Sequence, residues 1–414
     1  MSASALLQTC SRPSPRQPKP RVAIIASSLR LGGAEKQTAY ATRALFQSGI
    51  DVRLFYLGTG GAYEPVMRQQ GIPLSRIYIP KRPGQILARL LGALRKWKPH
   101  VVWATQFSDL RYAVPAGQWC RALTLGGIRS DGLQELKDYG ALGRWLIRFS
   151  HGLIANSYRA RQNLVSQGVA SQSIEVVPNG IDLAEFDALS TLKHPLPLPE
   201  GRVIAAAVGS LHPCKRFDRF LEALALARRS EPALAGILAG TDRGERSALQ
   251  AKARSLKLAP PDLIFAGECA NVPALLSRAG LLVLSSAYEG FPNVILEAMA
   301  ARLPVISTPA GDAARIVKHG QTGYVVTGED IAKMAGFMVQ LAQSPALREA
   351  LGRTGRQRAE KEYSFESLTE RLLDSFHLFA GKKGRASLAC MLRPVPANRC
   401  PAPSGTLNLE VSGV

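Results

Sequence analysis

The sequence predicts an α/β protein with two doubly wound, Rossmann-like parallel-sheet domains that face each other across a cleft. Three observations lead to this fold class. The chain has 414 residues, a length that favours two domains over one. Short, near-continuous apolar runs alternate with longer helical patterns, as expected for parallel strands covered on both faces. A proline-rich interruption lies close to the middle of the chain.

The candidate strands fall into two groups, one on each side of that interruption. Each run is apolar, rich in β-branched residues and bounded by turn residues, which is typical of buried strands. In the first half the runs are residues 22–26, 52–57, 101–104, 123–128, 153–156 and 174–177. In the second half they are residues 203–208, 235–239, 263–266, 281–285, 304–307 and 323–326.

Prolines mark the boundaries between these parts. Pro195, Pro197 and Pro199 with Gly201 predict a linker, and prolines at both ends of the chain predict flexible ends. The predicted organisation begins with a flexible basic arm over residues 1–20 and a first domain over 21–183. A linker over 184–200 leads to a second domain over 201–365. A C-terminal helix over 366–380 then packs back on the first domain, and a flexible basic tail follows over 381–414.

The positive charge is unevenly distributed. The chain has 52 Lys and Arg against 31 Asp and Glu, a formal net charge of +21. Residues 21–183 carry 21 basic and 9 acidic side chains, whereas residues 184–380 carry 23 and 21. Residues 1–20 add a charge of +3 and residues 381–414 add +4. This asymmetry predicts that the two domains have different partners, one of them an acidic surface or substrate.

Composition excludes several classes of protein. A hydrophobic content of 46% with 20% charged residues is ordinary for a globular fold and excludes global disorder. No apolar run approaches the length of a transmembrane helix, and we expect no secretory signal because the start lacks a continuous apolar segment. The six cysteines are scattered, which argues against a disulfide framework or structural zinc and fits a reducing cytoplasm.

The most informative segment follows a strand of the second half. An apolar strand ends near Ser285, a turn containing Gly290, Phe291 and Pro292 follows, and a helix begins around Asn293. The unpaired amides and positive dipole of a helix N-terminus favour a phosphate group. The segment therefore predicts a phosphate site at this turn.

Two glutamates belong to the same segment. Glu289 lies on the turn, and Glu297 lies one helical turn after Asn293 on the same face. A carboxylate beside a phosphate is repelled by it, so a carboxylate here makes sense as an acceptor for sugar hydroxyls. Taken alone, the pair is equally compatible with an ordinary turn carboxylate and a surface glutamate.

The spacing of Glu289 and Glu297, with Gly290-Phe291-Pro292 between them, resembles the E-x7-E signature of the retaining GT-B glycosyltransferases of family GT4. Further segments occur in the order typical of that family, and the resemblance covers residues 21–379. They are Gly32-Gly33-Ala34-Glu35, Val177-Pro178-Asn179-Gly180-Ile181-Asp182, Val208-Gly209-Ser210-Leu211, Lys215-Arg216, Phe265-Ala266-Gly267 and Gly320-Gln321-Thr322-Gly323-Tyr324.

The resemblance implies roles for these residues. The second domain would bind a nucleotide sugar, with Glu297 on the ribose hydroxyls and Glu289 on the transferred sugar. Lys215 would meet the diphosphate, and Arg216 is a second candidate for that contact; a positioned cation lowers the barrier as the leaving group gains charge. A solvated surface pair is the alternative for these two cations. The catalytic candidates are thus Glu289, Lys215 and Arg216.

The implied nucleotide-sugar site draws on glycine-rich loops of both domains. Gly32 and Gly33 follow the first strand, where a loop of the first domain would cross the cleft to the donor phosphates; a simple turn is the alternative. The loop from Gly267 would lie by the nucleobase. The full set of predicted nucleotide-sugar contacts is Gly32, Gly33, Gly209, Gly267, Gly290, Phe291, Pro292, Asn293 and Glu297.

The sequence also departs from the family pattern. Ser210 stands where many relatives have arginine, and Arg315 stands where glutamate is usual. Arg129 occupies the region where relatives place a histidine, and we expect it to contact the donor phosphate or an acidic acceptor. The chain has no Asp-x-Asp, which fits a site without a metal, where Lys215 and helix dipoles replace the ion.

An amphipathic basic segment runs from Ile86 to Lys98 in the first half. We expect its leucines to pack inward on the sheet and its arginines and lysines to face outward toward lipid headgroups. With the first domain taken as the acceptor domain, this predicts a peripheral cytoplasmic enzyme at the inner face of the membrane, acting on a glycolipid or lipid-linked saccharide. The predicted partners are a nucleotide sugar, with UDP favoured over GDP, and an anionic membrane surface, without any cofactor.

Three other functions compete with this interpretation. A sugar-nucleotide epimerase or hydrolase on the same architecture would release nucleotide without an acceptor. A nucleic-acid-binding protein is disfavoured because aromatic residues are only 7% of the chain and no matching motif occurs. A dehydrogenase would need G-x-G-x-x-G after the first strand, where the chain reads Ser-Ser-Leu-Arg-Leu-Gly-Gly-Ala.

Overall fold

Apolar strands alternate with helices along nearly the whole of the computed structural model, which describes residues 19–80, 82–193, 196 and 198–393. The described chain divides into two units. Unit 1 comprises residues 19–155, 164–177 and 368–393, and unit 2 comprises residues 156–163 and 178–367. The predicted arm up to residue 18, the tail from residue 394 and linker residues 194, 195 and 197 lie outside the described part.

Unit 1 is built on a seven-stranded, all-parallel sheet with the order β3-β2-β1-β4-β5-β6-β7. Its strands are β1 (Arg21–Ala26), β2 (Asp51–Tyr56), β3 (Leu74–Arg76), β4 (Val101–Ala104), β5 (Leu123–Ile128), β6 (Gly152–Ala155) and β7 (Ile174–Val176). The helices that connect them along the chain are α1 (Gly33–Gln47), α2 (Tyr63–Gln69), α3 (Pro83–Trp97), α4 (Leu110–Trp119), α5 (Leu133–Phe149) and α6 (Tyr158–Ser166). Helix α6 belongs to unit 2 up to residue 163.

Unit 2 is built on a six-stranded, all-parallel sheet with the order β10-β9-β8-β11-β12-β13. Its strands are β8 (Val203–Val208), β9 (Leu234–Ala239), β10 (Leu263–Gly267), β11 (Leu281–Leu284), β12 (Val305–Ser307) and β13 (Gly323–Val325). Its helices are α7 (Leu183–Ser190), α8 (Phe217–Arg228), α9 (Arg246–Ser255), α10 (Val272–Leu276), α11 (Asn293–Ala300), α12 (Ala313–Ile316), α13 (Ile331–Gln343) and α14 (Pro345–Glu362).

Burial explains why these runs are strands. Strands β4, β5, β6, β9 and β11 are buried at every residue, as expected for central parallel strands with helices on both faces. The two parallel-sheet units confirm the predicted fold class. Strand β3 was not predicted: it has three residues at the edge of the sheet, none of them fully buried, so it leaves no apolar run in the sequence.

The linker predicted over residues 184–200 begins too early. Residues 183–190 form α7, which belongs to unit 2 and is capped by Asp182, whose side chain accepts from the Glu185 amide at 2.9 Å. The Arg356 guanidinium on α14 holds Asp187 of α7 with two hydrogen bonds, at 2.6 and 2.7 Å. This fork attaches α7 to its own unit, so the chain enters unit 2 near residue 178.

Two further helices end the described chain, α15 (Phe365–Lys382) and α16 (Ala386–Met391). From residue 368 onward they belong to unit 1, where the Phe376 ring packs edge-on against Trp103, with 5.5 Å between centroids. The flexible tail predicted over 381–414 is wrong for residues 381–393. Leu388, Ala389 and Leu392 are buried there, and the free energy of that burial orders the segment.

Helix α3 corresponds to the predicted amphipathic basic segment. Ile86, Leu90 and Leu94 are buried, and the neighbouring helix on the sheet is α4. The basic side chains face outward, as at Arg95 and Lys96. None of the helices in the described part of the chain combines the length and apolar character needed to cross a membrane.

Candidate active site

The strand order of unit 2 defines one crevice. From β8 the chain proceeds outward through β9 to β10, then returns to β11 on the other side of β8 and continues to β12 and β13. In doubly wound sheets ligands bind at such a reversal, outside the carboxyl ends of the strands. The loops that follow β8 and β11 therefore form the candidate site.

The loop after β8 is tied to the loop after β11 by two hydrogen bonds. The Ser285 hydroxyl donates to the Lys215 carbonyl at 3.0 Å, and the Ala287 amide donates to the Cys214 carbonyl at 2.8 Å. Gly209, which directly follows β8, has a φ of 156° and a backbone amide that donates to the Ala239 carbonyl. These bonds hold the Lys215 backbone beside the turn that carries Glu289.

Lys215 and Glu289 form an ion pair between these two loops. The Lys215 Nζ lies 2.6 Å from Glu289 Oε1, and the Ser286 hydroxyl donates to the same oxygen at 2.6 Å. The lysine side chain is 21% exposed and the glutamate side chain 10%. Little water reaches the pair, so its charges act at a lower effective dielectric than surface charges do.

The loop after β12 packs against the turn that carries Glu289. The Thr308 hydroxyl donates to the Ser286 carbonyl at 2.6 Å. Gly311 has a φ of 58°, and a Cβ there would lie 2.6 Å from the carbonyl oxygens of both Glu289 and Gly290. Only glycine allows this close approach without displacing the turn.

Helix α11 begins directly after the turn. Pro292 precedes it, and its first residue, Asn293, accepts a hydrogen bond from the Asn179 side-chain amide at 2.7 Å. Glu297 is half-buried one turn further along. Burial raises the pKa of the Cys269 thiol, and the Glu297 carboxylate raises that pKa further, which places Glu297 near the loop after Gly267.

Phe291 is buried against the Tyr363 ring, with 6.1 Å between centroids. Its side chain therefore anchors the turn in the core of unit 2.

Arg216 points away from the ion pair. It has a φ of 48°, and its guanidinium donates hydrogen bonds to the Asp218 carboxylate from Nε at 2.9 Å and from Nη2 at 2.8 Å. The Asp218 hydrogen bonds raise the pKa of Arg216. A cavity of about 310 Å³ opens on this side, lined by His212, Pro213, Arg216, Phe217, Asp218, Glu245, Ala248, Leu249 and Lys252. Neither Lys215 nor Glu289 lines this cavity.

The remaining predicted residues lie in unit 1, whose sheet reverses between β1 and β4. Gly32 caps α1, whose first residue is Gly33. Arg129, just after β5, donates from Nε to the Thr105 carbonyl at 3.2 Å, and burial lowers its pKa to about 10, so it stays charged at neutral pH. Both loops lie at the carboxyl edge of the unit 1 sheet.

Asp109 is a buried carboxylate at the same edge. It is 1% exposed, the Ser27 hydroxyl donates to its Oδ1, and burial raises its pKa to about 7. Its Oδ2 has no partner among the described residues. Local sequence does not mark this carboxylate as buried, because its burial depends on the elements that cover it.

The structure thus gathers Gly209, Lys215, Glu289, Gly290, Phe291, Pro292, Asn293, Glu297 and Gly267 in unit 2, and it places Gly32, Gly33 and Arg129 in unit 1. The roles of these residues stay predictions. Within the described residues, no three His, Cys, Asp or Glu side chains come together as a metal-binding group. Sequence reasoning missed the positioning contacts of Thr308 and Gly311, since they join loops that follow different strands. It also missed the Ser286 hydroxyl, which bonds Glu289 within one loop.

Two family models match the chain. Residues 31–185 match the model described as Glycosyltransferase Family 4, and residues 190–358 match Glycosyl transferases group 1. A D-inositol 3-phosphate glycosyltransferase of Streptomyces avermitilis is 30% identical over 373 residues, covering 80% of this chain and 79% of that protein. The chain belongs to glycosyltransferase family 4.

One further relative and two solved structures are also similar to this family 4 glycosyltransferase. A glycogen synthase of Mycobacterium tuberculosis is 26% identical over 288 residues, covering 67% of this chain and 68% of that protein. The crystal structure of HepE from Anabaena with UDP and glucose has a TM-score of 0.75 at 19% identity, over 86% of this chain and 99% of that one. The lipopolysaccharide outer core galactosyltransferase WaaB has a TM-score of 0.65 at 18% identity, over 86% and 98%. These likenesses confirm the GT-B fold class.

Proposed function

We propose that this glycosyltransferase transfers a hexose, with retention of anomeric configuration, from a nucleotide-diphosphate sugar to a lipid-linked, lipopolysaccharide or polysaccharide acceptor. A UDP-sugar is favoured over a GDP-sugar as donor, and the neighbouring Anabaena structure that contains UDP and glucose supports that choice. The family match excludes the nucleic-acid alternative as the main function.

The observation that carries the proposal is the Lys215–Glu289 pair at the sheet reversal of unit 2. As the bond from the sugar to the diphosphate breaks, negative charge grows on the leaving phosphate. A cation already held in place stabilises that charge without reorganising during the reaction. The Lys215 ammonium has three donors, so it can hold Glu289 and meet a phosphate oxygen at the same time.

The two glutamates suit hydroxyl groups of the donor. Glu289 would accept from a hydroxyl of the transferred sugar, and Glu297, one turn inside α11, would accept from the ribose hydroxyls. The amides and dipole at the start of α11 add positive potential for the phosphates. Together with Lys215 they supply the charge that a divalent cation supplies in other enzymes, so we propose a reaction without a metal.

Retention follows from a front-side attack. The acceptor hydroxyl approaches from the face that the nucleoside diphosphate leaves, the new glycosidic bond forms as the bond to the phosphate breaks, and the departing phosphate takes the hydroxyl proton. This route needs no protein nucleophile. Gly32 and Gly33 at the start of α1, and the charged Arg129, are the unit 1 groups that would meet the donor phosphates or an acidic acceptor.

The positive excess of unit 1 supports an acidic acceptor. The outward Arg95 and Lys96 of α3 suit anionic lipid headgroups, which agrees with a peripheral position on the inner face of the cytoplasmic membrane. The epimerase or hydrolase alternative has no such use for a basic acceptor domain.

The test begins with thermal shifts of the full chain against a panel of UDP- and GDP-sugars. A ligand at 100 times its dissociation constant adds about 2.7 kcal/mol of stability, so the true donor stands out. That donor is then incubated, in EDTA, with lipid extracts or saccharides. We expect nucleotide release that depends on the acceptor and a new glycosidic bond with the donor's anomeric configuration. Release without an acceptor would support the hydrolase, and loss of activity in EDTA would overturn the metal-free site.

A further inference from the structure

We propose that the carboxyl-terminal ends of α4 and α5, which lie beside that of α3, form one docking surface for an anionic lipid bilayer. We call it the aromatic–basic edge and define it by Trp119, Trp145 and Phe149 with Arg121, Arg144 and Arg148. The proposal extends the proposed function, because contact with a bilayer serves an enzyme whose acceptor is held in the membrane.

Topology brings these three helix ends together. Helices α3, α4 and α5 precede β4, β5 and β6, and right-handed crossovers in this strand order put all three on one face of the sheet. Helix α4 lies between the other two and packs against both. Each helix ends where the next parallel strand begins, so all three end at the amino edge of the sheet. The Gln118 side-chain amide joins two of these ends by donating to the Phe149 carbonyl at 2.8 Å.

The aromatic residues at this edge are unusually exposed. The chain has four tryptophans, and the two most exposed are both here: Trp119 is 66% exposed and Trp145 is 47% exposed. The Trp145 and Phe149 rings lie against each other, with 4.7 Å between centroids. Leu142 lies on the same helical face and is 51% exposed. Exposing these side chains to water costs free energy, whereas Trp is favoured at a membrane interface.

Charge selects an anionic partner for this apolar face. Residues 141–149 of α5 contain two arginines and no acidic residue. Helices α3, α4 and α5 together carry seven basic and two acidic residues, whereas α1 and α2 carry three basic and two acidic. Helix α1 connects β1 to β2 and α2 connects β2 to β3, so these two lie on the other face of the sheet. The basic face is therefore also the face with the exposed aromatic residues.

Helix dipoles alone do not explain the pattern. Arginine and lysine near a helix C-terminus stabilise the helix itself, so the cations by themselves would carry no argument. Exposed tryptophans gain nothing from a dipole. On a membrane, large aromatic rings gain binding free energy at the acyl–headgroup boundary, and cations gain it from the lipid phosphates.

The experiment measures flotation of the full chain with vesicles of phosphatidylcholine alone, or with equal parts phosphatidylglycerol. One variant removes the rings (W145S with F149S) and a second removes the charges (R144Q with R148Q). Controls on unit 2 replace an exposed apolar residue with serine (L226S) and two exposed arginines with glutamine (R229Q with R254Q). Thermal melting checks that each variant folds, and size-exclusion chromatography follows its oligomeric state.

We expect the native chain to bind the anionic vesicles and to lose binding as salt rises. Removing the two arginines should weaken binding about 25-fold, and removing the two rings about tenfold or more, with both controls unchanged. Absence of binding by the native chain, or native binding by both variants, would overturn the proposal. So would a dimer that these substitutions split, since the edge would then join two copies. No sugar is present, so failure of the donor assignment leaves this result unaffected.

Discussion

Replacing Lys215 with methionine tests the ion pair most directly. Methionine keeps the length and apolar stem of lysine but removes the charge that lies 2.6 Å from Glu289 Oε1. The Ser286 hydroxyl still donates to that oxygen at 2.6 Å, so the carboxylate keeps one partner. The substitution therefore isolates the contribution of the cation.

The structure sets the magnitude on stability. Surface ion pairs contribute about 0–1 kcal/mol, and removing one partner of a buried pair costs about 3–5 kcal/mol. Side-chain exposures of 21% and 10% place this pair between those limits. We expect K215M to lower the free energy of unfolding by about 1–3 kcal/mol. Combining it with E289Q should restore part of that loss, because no uncompensated charge then remains.

Catalysis should suffer more than stability. Removing one preorganised group that stabilises transition-state charge typically lowers kcat about 10²–10³-fold. We therefore expect a loss of that size in steady-state kinetics with the donor found by thermal shift, and E289Q should not rescue it. Urea titration of each variant supplies the stability values.

The matched control is K252M, also in unit 2. Lys252 pairs with Glu222 at 2.5 Å, but both side chains are more than a third exposed, so kcat should stay native. A K215M enzyme that folds and turns over at the native rate would refute the role of this cation.

Three further predictions concern other parts of the molecule. E297A should weaken nucleotide-sugar binding with little change in melting temperature, and native affinity in calorimetry would remove Glu297 from the site. G311A should destabilise unit 2 by about 1–3 kcal/mol, because its Cβ would lie 2.6 Å from two carbonyl oxygens, and lower kcat as well; a stable, fully active variant would contradict that packing. Asp109 has its pKa raised from 3.8 to about 7, so the native fold binds a proton that the unfolded chain has lost, and stability falls as pH rises between those values. D109N cannot titrate at this position, so its stability relative to native should improve by about 3 kcal/mol between pH 4 and pH 7; parallel pH profiles from urea titrations would exclude this.

Apolar patterning is why the strands could be predicted from the sequence. Strands such as β4 and β9 are buried at every residue, so their sequences are continuous apolar runs. Strand β3 left no such signal, because edge position and three-residue length free it from that constraint. The order of the strands depends on which helix crosses which face, which local sequence does not encode.

The candidate site divides in the same way. Glu289 lies on a turn and Glu297 on the helix that directly follows it. Their spacing along the chain was therefore enough to mark them as candidate site residues. The contact of Lys215 with Glu289 joins residues 74 positions apart, and it requires two loops to meet at the sheet reversal. Arg216 follows Lys215 in the chain, yet its left-handed backbone conformation and Asp218 turn it to the other side. The sequence shows that Lys215 and Arg216 are adjacent, but the backbone conformation decides in which direction each side chain extends.

The interrupted course of the chain limits how the two units can be separated. Unit 1 is completed by residues 368–393, and unit 2 begins with α7, before the proline-rich stretch. A fragment ending at residue 200 would lack Phe376 and so expose the Trp103 ring, which is fully buried in the whole chain. A fragment starting at residue 201 would lack Asp187, so Arg356 would lose the two hydrogen bonds that it donates to that carboxylate. Cutting the chain near residue 195 therefore divides unit 2 internally, and unit 1 reaches its native contacts only once residues 368–393 have also been made.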